Sequence, residues 1–428
     1  MLQSKSKAQF YHERTNHSYQ SVKINPNYVD ESTQPSAYKT YPHFYRRYPL
    51  KEDNDIHQLI KLTSAITLEK QYRHYTSQLR ANPSAGGLYP TELYVQIRGL
   101  EGMISGLYHL EVKTNILTLI YELIDDGLEA YICPGKTVKG LIFLISCVYF
   151  RSSWKYQNRS LRYCLLDSGH HLGAIEAAAY GLGHQVEFVF DMDKIGLNEA
   201  LGFENQEFVT GSAILEDYED SPRREFRLKI PFVCGTDYFE PNSFIEQGYR
   251  DTIEPECDRK PLSYPQWRYN RQKFLEVISQ RRSARCFRKD SISHRDFKDI
   301  LAEVTQAIAT KSQEAIEIYS IVLRVEGMEP GIYRGLELIQ AGDFSEKSAY
   351  LCVDQRIAGD SAVTLFMAAH AQNYQTATQF AGLLGQRVYL ASQYRGIGCT
   401  GIGAYYDVET QNFLGTDKEI LYALAIGR

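Results

Sequence analysis

The chain repeats itself at one fixed spacing. Glu92-Leu93-Tyr94 recurs as Glu317-Ile318-Tyr319, and Glu101-Gly102-Met103 with Gly106-Leu107-Tyr108 recurs as Glu326-Gly327-Met328 with Gly331-Ile332-Tyr333, every match 225 residues apart without a gap. Self-similarity at a constant offset means that one structural plan is used twice. A buried helix is expected over residues 161–183, closed by Gly181-Leu182-Gly183. The run from Gly382 to Ser392, closed by Gly396-Ile397-Gly398, reads as its counterpart, about two residues off the same spacing. The expectation is a tandem duplication: two similar α+β halves packed face to face, as a homodimer fused into one chain would be.

The repeat divides the chain. Residues 1–50, rich in Tyr, Pro, Asn and Ser without helical period, read as an irregular arm, with His12, Arg14 and His17 surface or structural. Residues 51–233 form the first half. Within it a helix is expected over 54–66, with Ile56, Leu59, Ile60 and Leu62 on one face. Strands are expected over 93–97, 106–110, 116–120, 139–150 and 186–190. Residues 234–270, with Pro241, Pro255, Pro261 and Pro265, read as a connector, and 271–428 as the second half, with a helix over 293–301.

Composition narrows the function classes. A formal net charge of -5 and a pI near 6.2 give no electrostatic reason to expect nucleic acid or an anionic membrane as partner. The longest apolar run, Leu141 to Phe150, falls well short of the roughly 20 residues a membrane span needs, and the N-terminus shows no apolar signal-peptide core. A cytoplasmic protein is expected. The eight cysteines are scattered, with no CxxC and no Cys/His pair at metal-ligand spacing, so neither a metal site nor a disulfide framework is expected.

Two segments break the repeat in complementary ways. Arg80-Ala81-Asn82-Pro83-Ser84-Ala85-Gly86-Gly87-Leu88-Tyr89-Pro90 is a loop whose paired glycines leave main-chain N–H groups open to a flat or anionic ligand. Arg281-Arg282-Ser283-Ala284-Arg285 supplies three guanidinium forks and a hydroxyl, which suits a phosphate, although alone such a run also suits a solvated face. Shifting the arginine run back by 225 lands on Ile56 to Ile60, and shifting Pro83 to Gly87 forward lands on Ile308 to Ser312; neither copy is kept. The first half has the glycine loop and the second the arginines, so one composite site, and one ligand per chain, is expected.

These residues resemble the nitroreductase superfamily of FMN proteins, and within it the SagB/ThcOx-type dehydrogenases that oxidise azoline rings in modified peptides. Arg281 to Arg285 is similar to the flavin-phosphate motif, Pro83 to Pro90 and Gly106-Leu107-Tyr108 to hallmark segments of the branch, and Gly396 to Gly403 to the stretch along the flavin ring. Lys155-Tyr156 resembles the catalytic pair of the azoline oxidases; Gln157 departs from the branch's usual glycine. The resemblance implies an α+β fold of two nitroreductase-like domains, each a central antiparallel or mixed sheet flanked by helices, forming an intramolecular pseudo-dimer. It implies one FMN, with Arg281, Arg282, Ser283, Arg285 and Arg428 on the phosphate, Pro83, Ser84, Ala85 and Gly86 from the other half, and Gly401 and Ile402 along the ring. Lys155 and Tyr156 would take the proton while a hydride leaves a small-molecule or peptide-derived substrate, Lys155 having its pKa lowered by burial or by cations such as Arg159. Asp167, His170 and His171 are expected to pack or cap the buried helix, without a catalytic role. Two other readings stay open: an NAD(P)H-dependent nitro or quinone reductase, and a non-catalytic flavin-binding or scaffold protein.

Overall fold

Short stretches that alternate or run continuously in Val, Ile, Leu and aromatic residues become strands, most of them buried on both faces. The computed structural model describes residues 6–24, 29–71, 76–215, 218–253 and 259–428. The first sheet contains β1 (Arg47–Pro49), β2 (Thr91–Arg98), β3 (Gly106–Glu111), β4 (Ile116–Glu122), β5 (Gly140–Val148), β6 (Val186–Val189) and β7 (Glu207–Leu215), in the order β1-β4-β3-β2-β5-β7-β6. The second contains β8 (Glu317–Val322), β9 (Gly331–Arg334), β10 (Glu337–Ala341), β11 (Val363–Ala369), β12 (Gly398–Ile402) and β13 (Glu419–Gly427), in the order β10-β9-β8-β11-β13-β12. Six strands therefore follow one order twice, and β1 is an addition to the first sheet. Every pairing within these sheets is antiparallel, with Leu93 opposite Ile145 in one and Tyr319 opposite Phe366 in the other.

Between the sheets run two long helices, α4 (Ser160–Leu182) and α7 (Tyr374–Tyr394). Both are buried on nearly every side, as a central helix must be. α4 stops at Gly183, whose φ of 89° is the left-handed cap expected from Gly181-Leu182-Gly183. The two helices touch through their backbones. A Cβ on Gly169 would lie 2.1 Å from the Gln379 carbonyl oxygen, and one on Gly382 would lie 2.2 Å from that of Leu166. One apolar cluster spans the junction, joining Leu93, Leu165 and Leu172 to Leu365, Leu383 and Val388.

Several expectations need correction. The arm is not irregular: α1 (Lys7–Arg14) and a second helix, Tyr19–Ile24, precede β1. Ala8, Tyr11, His12 and Thr15 recur at helical spacing and are buried, so α1 docks instead of lying on the surface. The strand expected to reach residue 150 ends at Val148, and α3 (Phe150–Tyr156) follows. The connector holds a helix, α5 (Ser243–Asp251), that buries Ile245 and Tyr249, the latter stacked on Phe208 at 4.3 Å; residues 254–258 of that segment lie outside the described residues.

The constant offset holds for the early strands and is lost later: β6 and β12, and β7 and β13, begin 212 residues apart. α4 ends at Leu182 and α7 at Tyr394, 212 residues later instead of about 225, because α3 lengthens the link from β5 to α4 and the link from β11 to α7 has no such insert. α2 (Asp55–Ser64) and α6 (Arg271–Gln280), ten residues each and capped by Asn54 and Asn270, begin 216 residues apart. The true first-half counterparts of Arg281 to Arg285 are therefore Ala65 to Glu69, which contain no arginine. The register changes and the asymmetry stands.

The close crossing makes a direct prediction. Gly169→Val should destabilise the chain by about 3 kcal/mol or more, because neither facing backbone can retreat without opening the core. Equilibrium denaturation that places the variant within about 0.5 kcal/mol of the parent would show that the crossing tolerates a side chain.

Candidate active site

The glycine loop is shaped by positive φ angles at Gly86 (64°) and Gly87 (69°), which only glycine adopts without strain, and by a strained Tyr89 (47°). Its polar groups turn inward. The Tyr89 N–H donates to Ser84 Oγ (2.8 Å), and Ser84 Oγ donates to Asp167 Oδ2 (2.5 Å). The Ala85 N–H donates to Asp167 Oδ1 (3.2 Å). Asp167, on α4 two residues before the glycine crossing, is thus hydrogen-bonded, among the described residues, by the loop alone. Burial pushes its carboxyl up to about 7, and the two loop donors only partly oppose that.

The arginine segment meets this loop from the second half. It leaves α6 and runs beside β12, with the Ala284 N–H donating to the Cys399 carbonyl (2.8 Å). Arg281 is buried and donates to the carbonyls of Ala81 (2.7 Å) and Arg80 (3.0 Å). Among the described residues its Nη1 has no acceptor, and burial lowers the guanidinium pKa. Arg282 donates to the Thr67 carbonyl (2.7 Å) and hydroxyl (3.0 Å). Residues expected on a phosphate therefore hold the main chain of the opposite half. Ser283 Oγ lies 2.9 Å from Tyr389 Oη, which also accepts the Gly401 N–H (2.6 Å). Arg285 and Arg428 are exposed, and Arg428 lies 3.9 Å from Asp296. Ile402 turns toward the outer cluster of the second half, with Phe287 and Tyr405.

The third wall comes from α3 and the start of α4. Tyr156 packs on Tyr163 at 4.5 Å, and its hydroxyl lies 2.6 Å from where a Cβ on Gly86 would be. Tyr163 in turn covers Gly403 and donates to its carbonyl (3.1 Å), and the Tyr422 hydroxyl covers Gly401. Lys155 is half-buried, its Nζ 5.9 Å from the centre of the Tyr156 ring. Arg159 does not serve Lys155: it is bound to Asp407 (2.9 Å), with Arg162 on the other oxygen of the same carboxylate (2.6 Å).

Tyr389 and Tyr422 are residues that sequence reasoning passed over, and Asp167 and His170 are ones it read only as packing or capping the buried helix. His170 Nε2 lies 2.8 Å from Tyr422 Oη and its Nδ1 3.3 Å from Gln386 Oε1; burial lowers the ring to about 3, so it is neutral. Their signal was present in the sequence: ionisable groups on a helix with no solvated side have to be answered by something across the interface.

The comparisons with known proteins agree with this architecture. A family model described as "Nitroreductase family" matches residues 278–428. That stretch lies within the second half, which is similar to the family over those residues. Two proteins named as putative nitroreductases are similar to the chain. One, from Anabaena variabilis, is a solved structure with 23% identity and a TM-score of 0.81, covering 99% of this chain and 100% of that one; it establishes a nitroreductase-like fold over both halves. The other, from Methanocaldococcus jannaschii, is 28% identical over 106 residues, which is 24% of this chain and 52% of the relative. The chain thus spans about half the length of the curated relative it matches. An NADPH:FMN oxidoreductase from Vibrio harveyi, solved with NAD+, aligns over 36% of this chain and 68% of its own at 16% identity, with a TM-score of 0.29. Among the described residues no helix is long and apolar enough to cross a membrane, and no cluster of His, Cys, Asp or Glu is placed to hold a metal.

The Asp407 pair sets a pH limit. Burial alone would raise this carboxyl, but Arg159 and Arg162 overcome it and hold the group well below the usual carboxylate range. A folded-state pKa below the unfolded one contributes stability above about pH 4 that is lost as pH falls. Asp407→Asn should cost about 3–5 kcal/mol at pH 7, since two buried guanidiniums lose their counterion, and should flatten the acid limb of the stability curve. A variant as stable as the parent at pH 7 would remove this carboxylate from the chain's stabilising interactions.

Proposed function

We propose that the chain is an FMN-dependent oxidoreductase with one flavin per chain, held between two halves that arose by tandem duplication. The observation that carries the reading is the meeting of three segments far apart in sequence: 80–86, 281–283 and 398–403. Arg281 alone spans 200 residues to reach Ala81. Proteins of the nitroreductase family generally bind flavin. The donor chemistry fits such a group. Arg281 Nη1 is buried without an acceptor, Ser283 offers a hydroxyl, and Gly86, Gly401 and Gly403 present bare main chain to flat rings. Those rings are now Tyr156, Tyr422 and Tyr163, so a flavin seated on the same glycines requires tyrosine side chains to swing aside.

In this reading Arg281, Arg282 and Ser283 hold the phosphate, with Arg285 and Arg428 closing over it from the surface. Pro83, Ser84, Ala85 and Gly86 approach from the first half, and Gly401 and Ile402 form the edge along the ring. FMN, when bound, supplies two-electron acceptance. Tyr156, whose hydroxyl is kept protonated by burial, and the adjacent Lys155 stand where a substrate proton would leave. The Lys-Tyr pair favours a dehydrogenase of the azoline-oxidising type, acting on a small-molecule or peptide-derived substrate in the cytoplasm.

Purified protein titrated with FMN and followed by visible absorbance tests the reading; absence of binding would sink it. Arg281→Lys keeps the charge and loses the fork, and should weaken FMN binding about 10–100-fold. Lys155→Ala should retain FMN and slow substrate oxidation by about 100-fold or more. Full turnover in that variant would remove Lys155 from the chemistry.

A further inference from the structure

Nine carboxylates are buried among the described residues, and eight of them are answered by a cation. Glu92 pairs with Arg151, Glu111 with Arg47, Asp126 with Arg227 and Glu129 with Arg98. Glu176 pairs with Arg387, Glu187 with Lys311, Glu207 with Lys39 and Asp407 with two arginines. The ninth, Asp167, has no ion pair among the described residues and is 3% exposed. Its bonds come from Ser84 and Ala85 of the glycine loop. An unanswered buried carboxylate is costly, and a fold that pairs the other eight had the means to pair this one.

We propose that Asp167 is a second proton-exchanging group of the composite site, beside Lys155 and Tyr156, with Ser84 as its hydroxyl relay. The geometry defines the step. Ser84, half-buried, donates from Oγ to Asp167 Oδ2 and accepts the Tyr89 N–H, and two residues on Gly86 lies under the Tyr156 hydroxyl. A substrate X–H proton passes to Ser84 Oγ while the hydroxyl proton of Ser84 passes to Asp167 Oδ2. One X–H bond breaks, one O–H bond forms on Asp167, and the electron pair stays on X. The negative charge moves from Asp167 to X, ready for the two-electron oxidation proposed above. On that oxidation the assignment rests only for the identity of the acceptor, the flavin.

The groups around Asp167 leave the titration to it. Cys147 of β5, Tyr156 of α3 and Tyr422 of β13 each have their pKa raised by burial and stay neutral through the physiological range. The neighbouring His170 and His171 on α4 are both lowered to about 3 and are neutral as well. Asp167 is the one group in this cluster that changes charge near neutrality, at about 7.

Infrared titration of the full chain without flavin tests this apart from the cofactor reading. A carboxylic acid C=O band should appear as pH falls through about 7, and Asp167→Asn should lack it. Ser84→Ala keeps the acid and removes a donor to the charged form, so the midpoint should move up by about one pH unit, a tenfold change in proton affinity. That variant decides the matter if Asp167→Asn does not fold. In flavin-loaded protein, Asp167→Asn should abolish the limb of the kcat/KM profile near pH 7. A wild-type chain with no band titrating between pH 5 and 8, a band that persists in Asp167→Asn, or a midpoint unmoved in Ser84→Ala would each overturn the assignment. Failure of FMN to bind would overturn the oxidoreductase reading and leave the titration standing.

Discussion

Backbone contact between α4 and α7 at Gly169 and Gly382 is the constraint on which the remaining geometry depends. With a side chain at either position the helices would stand further apart, and groups that now reach across would fall short. Ser168 meets Gln379 at 3.1 Å, His170 meets Gln386 and Tyr422, and Arg387 binds Glu176 through two oxygens at 2.6 and 2.8 Å. Close approach helps two nearly all-buried helices carry polar side chains, because Ser168, His170, Glu176 and Arg387 find partners on the other half.

Charge is distributed through the interior with unusual freedom, and burial alone does not distinguish structural from functional groups. Glu92 and Glu207 lie as deep as Asp167. What separates them is the partner: a guanidinium or ammonium in one case, a mobile hydroxyl and a loop amide in the other. Removing a charge from water is repaid only by a well-placed opposite charge, so a paired carboxylate is fixed in its ionised form and an unpaired one remains free to exchange a proton. Arg281 is the cationic counterpart of Asp167: buried, held by carbonyls, with one nitrogen unanswered.

Most strands and the central helix were legible because their patterns are local: β2, β3 and β4 began within two residues of expectation, and Gly183 marked the end of α4. The two-half architecture could be read from a few tripeptides because strands and tight turns keep their lengths. Link lengths drifted, so a single offset misplaced the helices and the arginine counterparts. Within the site, the meeting of the glycine loop with the arginine segment was legible from complementary losses. The duty of Arg281 and Arg282 toward carbonyls was not, since a guanidinium satisfies a phosphate or a main-chain oxygen with the same fork. Asp167 was read as packing because nothing local reveals that no cation will come to meet it.

The arm has a consequence for the order in which the protein is made. The carbonyl of Thr15 accepts from Arg159, the Thr15 hydroxyl from Arg162, and the His17 N–H donates to Asp407, so a network at the base of α4 draws on residues 15, 159, 162 and 407. A ribosome delivers the first three long before the last. Until residue 407 has emerged, a nascent first half holds two arginines without their counterion at the foot of its central helix. It can collapse and pair its strands, but its interior is electrostatically incomplete. The first half is therefore built to wait for the second, and the final fold is reached only when nearly the whole chain is free.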